Sequence, residues 1–452
     1  MTANYRDQNI VVMGAGKSGQ ALARFFADRG ARVTLSDRRP AEQLTDLSRL
    51  AALGVALDLG GHSAGIFQQA DLIALSPGVS LMVPLLQQAM VRKIPILGEV
   101  EIASRELRTD IVAVTGTNGK STTTTLIGEA LKAWGKKPFV GGNLGTPLVA
   151  AIDQDCDALV VELSSFQLET IDRFHPQVGV LLNLSSDHLD RYPDLDSYYA
   201  AKINLFRNMT AADYAVLNAD DPLVRELCSH IAAQKIWFSA SGRPEGVLTR
   251  DGLTLRWNRS GEMQTFDLAA LALRGEHNQE NAMAALAAVL LLGCPGEVAW
   301  SAICAFTGLE HRMQLVRERQ GVRWYNDSKG TNVGSVIKSL AGLAAPVTLI
   351  AGGKDKGGDY APLRPLLEGR VRHLILIGEA RQRMAAALDG CCEIIGAASL
   401  EEAVARAAEL TERGGTVLLS PACSSFDMFA SYEQRGQVFE RLVRALPEEG
   451  TL

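Results

Sequence analysis

Ile111-Val112-Ala113-Val114-Thr115-Gly116-Thr117-Asn118-Gly119-Lys120-Ser121 carries more of this protein's chemistry than any other stretch. A short apolar strand runs into two glycines, and Lys120 and Ser121 then open a helix that reads through to Leu131. Glycine lets the backbone curl until several amides point at one anion; the helix start adds positive potential, and Lys120 adds a full charge. Such a curl is a cradle for a triphosphate, with Gly116, Thr117, Asn118, Gly119 and Lys120 around the phosphates and the Ser121 hydroxyl available to Mg²⁺. The ordinary phosphate loop has four residues between its glycines, whereas only Thr117 and Asn118 intervene here. A plain strand-to-helix turn is the alternative, and the Gly-Lys-Ser context argues against it.

The same strand, glycine turn and helix occur upstream. Asn9–Met13 leads into Gly14-Ala15-Gly16-Lys17-Ser18-Gly19, and the helix that follows puts Ala21, Leu22, Phe25 and Phe26 on one face before Gly30 ends it. A second strand, Ala31 to Asp37, closes on an acid. Gly14, Gly16 and Gly19 in this setting, with Asp37 placed to meet a ribose, are a dinucleotide signature. Alone they point to an NAD-dependent oxidoreductase, and Arg38 and Arg39 beside Asp37 would suit the 2′-phosphate of NADP. A nucleotide-binding regulatory module is the reading from outside catalysis. Neither accounts for the second loop at Lys120.

Apolar runs rich in Val, Ile and Leu alternate with helical stretches along all 452 residues, so the class is α/β with mainly parallel sheets. A third set of strands begins near Arg323–Asp327 and continues through Pro346–Gly353, His373–Gly378 and Thr416–Ala422. Three domains are expected, at 1–98, 99–308 and 309–452. A hydrophobic share of 47% against 21% charged residues excludes a mostly disordered chain. The net charge of -6 argues against a nucleic-acid partner. The longest apolar stretch, Ala282 to Leu292, is too short to cross a bilayer, and the first ten residues lack the apolar core of a signal peptide. Seven cysteines without a CxxC pair fit a reducing cytoplasm rather than a disulfide framework or a four-thiolate zinc site.

The shortened loop resembles that of the Mur ligases and their folylpolyglutamate synthase relatives, ATP-dependent enzymes that join an amino acid to a carboxylate. Seven further segments extend the resemblance over the whole chain: Gly141–Gly145, Glu162–Leu168, Asn183–Tyr192, His277–Ala285, His311–Gln314, Asn326–Asn332 and Ser420–Phe429. Within the family, Glu162-Leu163-Ser164-Ser165-Phe166-Gln167-Leu168 and Asn326-Asp327-Ser328-Lys329-Gly330-Thr331-Asn332 favour the member that adds D-glutamate to UDP-N-acetylmuramoyl-L-alanine. The resemblance implies a Rossmann-like first domain for the UDP substrate, a central phosphate-loop ATPase domain, and a Rossmann-like third domain that binds the amino acid and closes on ATP. It also implies two Mg²⁺ sites and a cytoplasmic enzyme of peptidoglycan precursor synthesis; a monomer is expected.

Residue by residue, the resemblance puts Lys17, Ser18, Asp37, Arg39, Ser76 and Gly78 around UDP, with Asn143 on the muramoyl side. Glu162 ends the apolar strand Ala158–Glu162, at the sheet edge where a crevice opens, and offers Mg²⁺ a hard oxygen; a surface acid is the plain alternative. His188 matches a histidine near the second Mg²⁺. Lys202, read from its segment alone, is an ordinary helix lysine facing water. In the family the matching lysine carries a carbamate, which would turn a cation into an oxygen donor beside the metal. Asn278 and Asn281 share a helix face and could read adenine and ribose, with helix capping by Asn278 as the alternative. Arg312 and Asp327 match groups that reach phosphate and ribose. Lys329, Thr331, Lys356, Ser425 and Phe426 match D-glutamate positions, and Lys354 competes with Lys356 for that alignment.

Overall fold

The computed structural model describes residues 4–259, 261–273 and 275–447. Three separate sheets are present. The first contains β1 (Asn9–Met13), β2 (Arg32–Asp37), β3 (Ala56–Leu59), β4 (Leu72–Leu75) and β5 (Ile96–Gly98), all parallel, in the order β3-β2-β1-β4-β5. Strands β1 and β4 read as unbroken apolar runs because helices cover both faces of the sheet. The chain order reverses between β1 and β4, which sets a crevice at their carboxyl ends. The helix Lys17–Asp28 starts there, and only glycine allows its close approach: a Cβ on Gly19 would lie 1.7 Å from the Gly14 carbonyl oxygen.

The second sheet has nine strands: β6 (Ile111–Thr115), β7 (Pro138–Gly142), β8 (Ala158–Glu162), β9 (Val178–Leu181), β10 (Tyr214–Asn218), β11 (Gln234–Ser239), β12 (Leu248–Asp251), β13 (Thr254–Arg259) and β14 (Glu262–Asp267). Their order is β14-β13-β12-β11-β10-β9-β6-β8-β7. Pairing is parallel from β7 to β12 and antiparallel from β12 to β14. The sequence reading passed over this terminal meander, although Asp251-Gly252 between alternating residues is a hairpin signal and Gly252 takes φ +59.

The third sheet orders β15 (Gln314–Arg319), β16 (Val322–Asn326), β20 (Thr416–Leu419), β17 (Val347–Gly352), β18 (Val371–Ile377) and β19 (Glu393–Gly396) as β15-β16-β20-β17-β18-β19. Only β15 is antiparallel. It too escaped the sequence reading, because an edge strand with four charged or amide residues in six lacks an apolar pattern. Alternate residues of β17 and β18 feed two cores. Leu349, Leu374 and Leu376 pack with Leu363 and Met384 on one face, while Ile350, Ile375 and Ile377 meet Val404 and Phe439 on the other.

Met1–Leu184, Asp196–Leu271 and Asn278–Ala305 form one compact unit, which holds the first two sheets; Ser185–Leu195, Ala272–His277 and Phe306–Leu452 form the other. Within the described residues no helix is long and apolar enough to cross a membrane, and all seven cysteines are free. In the first unit the helix Glu99–Glu106 follows β5 directly, and its acids fasten it to the second sheet's layer. The buried Glu101 carboxylate accepts the amides of Asp172, Arg173 and Phe174 on Oε2 and the Arg105 guanidinium on Oε1. Three amides aimed at one oxygen make a nest for negative charge.

Glu99 is different. Its Oε1 accepts the Val149 amide at 2.7 Å, while Oε2 is buried with no hydrogen-bond partner among the described residues. Burial pushes its pKa from 4.5 up to about 7, against the opposing pull of the Val149 and Leu148 amides. Between those values the folded chain holds a proton that the unfolded chain has lost, so this group's contribution is complete below pH 4.5 and is lost as pH rises to about 7. The loss is about 3 kcal/mol. Glu99→Gln, uncharged at every pH, is expected to flatten the fall in melting temperature between pH 5 and 8, as followed by calorimetry at pH steps.

Candidate active site

In the first sheet's crevice, Gly14 takes φ +95 and lies so close to Ser76 that an added Cβ would be 2.9 Å from the serine Cβ. Lys17 and Ser18 are the first residues of the helix, whose start carries no side-chain cap. Asp37, at the end of β2, accepts the Ala15 amide at 2.6 Å and is gripped by the Arg39 amide and guanidinium at 2.8–3.0 Å. Burial alone would raise its pKa, but these donors hold it down to about 2. Asp37 thus ties the glycine turn to β2. Lys17 and Gly78 are exposed.

The second glycine turn is built more tightly. Gly116 and Gly119 take φ +146 and +89, and a Cβ on Gly119 would lie 2.2 Å from Asn281 Oδ1. Asn183, to which the sequence reading gave no role, holds the turn with its carbonyl on the Thr117 amide and its side chain on the Asn118 amide and carbonyl. Lys120 Nζ donates to the carbonyls of Gly116 and Thr117, both at 3.0 Å. Lys202 Nζ donates to the same Gly116 carbonyl at 2.8 Å and is only 1% exposed. The expectation of a water-facing helix lysine is therefore wrong: the helix Leu195–Ile203 turns this residue inward, over the Tyr198 ring. Two ammonium groups on one carbonyl, beside an uncapped helix start, make the turn strongly attractive to an anion.

Ser121 and Glu162 are both buried. Glu162, at the end of β8, accepts the Asn143 side-chain amide on Oε1 at 2.6 Å, and the Asn143 backbone amide donates to the Glu162 carbonyl. The plain alternative of a surface acid does not hold. In the following segment Ser164 and Gln167 form a reciprocal cap on a short helix, so part of a segment that carried the family resemblance is local scaffolding. Asn278 and Asn281 meet at 3.3 Å, and Thr123 bonds Asn281. The helix starts at Glu276, so Asn278 lies in its first turn and is not its cap.

In the second unit, His188 takes a left-handed backbone, φ +56, and donates its amide to Asp187. Asp187 is buried and also accepts Lys356 Nζ at 3.2 Å and Asn332 Nδ2 at 3.1 Å. Burial would raise its pKa, but the charges of Lys356 and His188 keep it below the ordinary value. His188, Thr331, Asn332, Lys356 and Tyr360 line a cleft of about 430 Å³. Lys356 lines this cleft, and Lys354 is exposed. Lys329 is elsewhere, clasped to the Tyr432 hydroxyl at 2.9 Å. Ser425 is buried and Phe426 is 68% exposed.

Asp327 points inward. It accepts the hydroxyls of Ser339 and Ser420 at 2.7 Å, and burial raises its pKa despite them. The Arg312 guanidinium lies within its electrostatic reach, with Nε buried and unbonded among the described residues. His277 is pushed down to about 4 by burial, with Lys338 and Arg312 adding to the effect, and is neutral at neutral pH. Arg435 went unread. It is buried and binds Ser328 Oγ and the carbonyls of Ser328, Cys423 and Ser424, stapling two loops that carry Lys329 and Ser425. Its signal was a charge in register with the buried Phe439 and Val443 on one helix face.

Two glycine turns at the carboxyl ends of separate parallel sheets, the second with Gly-Lys-Ser and a second lysine over it, define a multi-domain nucleotide-binding α/β protein of the phosphate-loop kind. Three family models match: the Mur ligase MurD-like N-terminal domain over residues 8–98, the Mur ligase middle domain over 114–289, and the Mur ligase glutamate ligase domain over 311–423. The chain belongs to the Mur ligase family. It is 57% identical over 449 residues to the UDP-N-acetylmuramoylalanine–D-glutamate ligase of Syntrophotalea carbinolica, covering 99% of this chain and 100% of that one. The protein of the same name from Geotalea uraniireducens is 50% identical, with 98% of each chain covered. Among solved structures, a pseudomurein peptide ligase from Methanothermus fervidus superposes with a TM-score of 0.62 at 20% identity, covering 98% of this chain and 100% of that one. The UDP-N-acetylmuramate-alanine ligase of Thermotoga maritima gives 0.61 at 21%, over 97% and 100%. These two establish the fold. Family membership sets aside the dehydrogenase reading of the first glycine turn.

Gly119→Ala should strain a left-handed backbone and displace Asn281, at a local cost of about 1–3 kcal/mol. Affinity for a non-hydrolysable ATP analogue is expected to fall by at least about tenfold in calorimetric titration, while the melting temperature of the second unit is unchanged.

Proposed function

We propose that the chain is an ATP-dependent, ADP-forming ligase that joins D-glutamate to UDP-N-acetylmuramoyl-L-alanine, a step in peptidoglycan precursor synthesis, acting in the cytoplasm as a monomer. The observation that carries this reading is the glycine turn Gly116–Gly119 with Lys120 over it, in a chain that matches D-glutamate ligases from end to end. An amine cannot displace oxide from a carboxylate. Transfer of the ATP γ-phosphoryl to a carboxylate oxygen gives an acyl phosphate; the amine of D-glutamate attacks its carbonyl carbon, a C–N bond forms, the C–O bond to phosphate breaks, and the amine gives up a proton. Catalysis of phosphoryl transfer is mainly positioning and charge stabilisation.

Gly116 through Ser121 would cradle the ATP phosphates, with Lys120 swinging from the loop carbonyls to the transferred group. Asn278 and Asn281, beside the turn, suit the nucleoside. Arg312 offers an unbonded Nε, and for Asp327 to reach a ribose its bonds to Ser339 and Ser420 must open. Lys17, Ser18, Asp37, Arg39, Ser76 and Gly78 are assigned to UDP and Asn143 to the muramoyl side. Lys329, Thr331, Lys356, Ser425 and Phe426 are assigned to D-glutamate, whose two carboxylates call for two cations.

Mg²⁺ fits the donors. Among the described residues no three His, Cys, Asp or Glu side chains converge, while the buried oxygens of Ser121 and Glu162 match a hard cation that keeps water and phosphate oxygens as its other ligands. When bound, it would offset charge on the phosphates. His188 is a proposed Mg²⁺ donor, and so, as a carbamate, is Lys202. A carbamate would replace a buried ammonium with an anion.

ADP release should require ATP, UDP-N-acetylmuramoyl-L-alanine and D-glutamate together, with L-glutamate inactive, in a coupled assay. Lys120→Ala is expected to lower kcat by at least about 100-fold. Lys202→Ala should lose turnover and regain part of it with added short-chain carboxylates; full activity without them would refute the carbamate.

A further inference from the structure

The loop after β17 carries Lys356 and is rich in glycine, the residue that loses most freedom when it is ordered. Gly352, Gly353 and Gly357 take φ +109, +134 and +74, and Gly358 follows. Backbone bonds fix the base of the loop: the Gly353 amide donates to the Ile377 carbonyl, the Ala380 amide to the Gly353 carbonyl, and the Lys354 amide to the Ser424 carbonyl. The tip, 355–358, is held by side chains.

Arg383 does most of the holding. Its Nη1 donates to Asp355 Oδ2 at 2.6 Å, and its Nη2 to the carbonyls of Gly357 at 3.1 Å and Gly358 at 2.8 Å. Asp355 Oδ1 accepts the Gly357 amide at 3.0 Å and the Tyr360 hydroxyl at 2.9 Å. Both chain neighbours of Lys356 are thus tied down. Burial would raise the Asp355 pKa, but Arg383 and Tyr360 hold it below the ordinary value, so the pair is charged at neutral pH. Arg383 stands on the helix Arg381–Leu388, which Met384 and Leu388 anchor in the core.

Folding stability does not explain this clasp, because the Arg383 side chain is 48% exposed and an ion pair so placed adds little. A planar fork that spans one carboxylate and two carbonyls fixes a geometry instead; lysine, with one compact ammonium, offers no such fork. A glycine-rich loop left free would have to be ordered when a ligand arrives, and that entropy would be subtracted from affinity. Ordered beforehand, the loop presents Lys356 in the cleft that it shares with Tyr360 and His188, its ammonium on Asp187.

We infer that Arg383 is a positioning residue for the incoming amino acid: through Asp355 and the carbonyls of Gly357 and Gly358 it fixes the loop that presents Lys356. The inference rests on the assignment of Lys356 to D-glutamate and adds what makes that lysine effective. Arg383 acts through Lys356 and not on the substrate.

The test is steady-state ADP release by the full chain, with D-glutamate, ATP and UDP-N-acetylmuramoyl-L-alanine each varied in turn, for wild type, Arg383→Ala and Lys356→Ala. Arg383→Ala should raise KM for D-glutamate by about tenfold, while kcat and the other two KM values change by less than about twofold. Lys356→Ala should raise the same KM at least as far. An unchanged D-glutamate KM in Arg383→Ala, or equal rises for all three substrates, overturns the inference; a rise in Lys356→Ala then leaves the assignment of that lysine standing. An unchanged D-glutamate KM in Lys356→Ala overturns both. Wild type without D-glutamate-dependent ADP release removes the ligase reading and the inference with it. Should Arg383→Ala melt below the assay temperature, Asp355→Asn carries the test, since it keeps an acceptor for Gly357 and Tyr360 and drops the charge that Arg383 meets. A selective rise in its D-glutamate KM supports the inference, and an unchanged KM overturns it.

Discussion

Two ammonium groups, from Lys120 and Lys202, share the single carbonyl oxygen of Gly116. Much of the first unit serves that convergence. β6 ends at Thr115, whose hydroxyl is fixed on the Leu163 carbonyl, and Asn183 draws the turn against the end of β9. The helix Leu195–Ile203 carries Lys202 inward, and Tyr198 both lies under its ammonium and bonds Thr117. A cation held beside a helix start favours an anion at the turn.

The first two sheets keep their relation through buried acids rather than through apolar surface alone. Glu101 fills a nest of three amides, and Glu99 pairs with one amide from the turn Leu148–Ala151. One carboxylate accepts donors on both oxygens, whereas Glu99 leaves one oxygen unbonded among the described residues, and burial pushes its pKa up. In the second unit Arg435 performs the corresponding task for cations, and its burial lowers its pKa to about 10.

Much of this was legible in the chain. Strands such as Ala158–Glu162 and Asn9–Met13 each hold four consecutive apolar residues, and the structure gives them the limits read from the sequence. Asp187 was not legible as an anchor, because its partners Asn332 and Lys356 are 145 and 169 residues away in sequence. Lys202 was misjudged from its own segment, since a helix with nearly even polarity does not say which way a lysine turns. The edge strand Gln314–Arg319 escaped notice for the opposite reason: half exposed, it carries no apolar stripe.

The sequence by itself determined the α/β class, the two glycine turns and the chemistry of their helix starts, because these depend on neighbours a few residues apart and on what glycine alone permits. Tertiary structure decided which side chains meet: Lys202 with Gly116, Glu162 with Asn143, Asp187 with Lys356 and Asp355 with Arg383. Such pairs form where distant segments pack, and the desolvation that gives them their force exists only once the chain has folded.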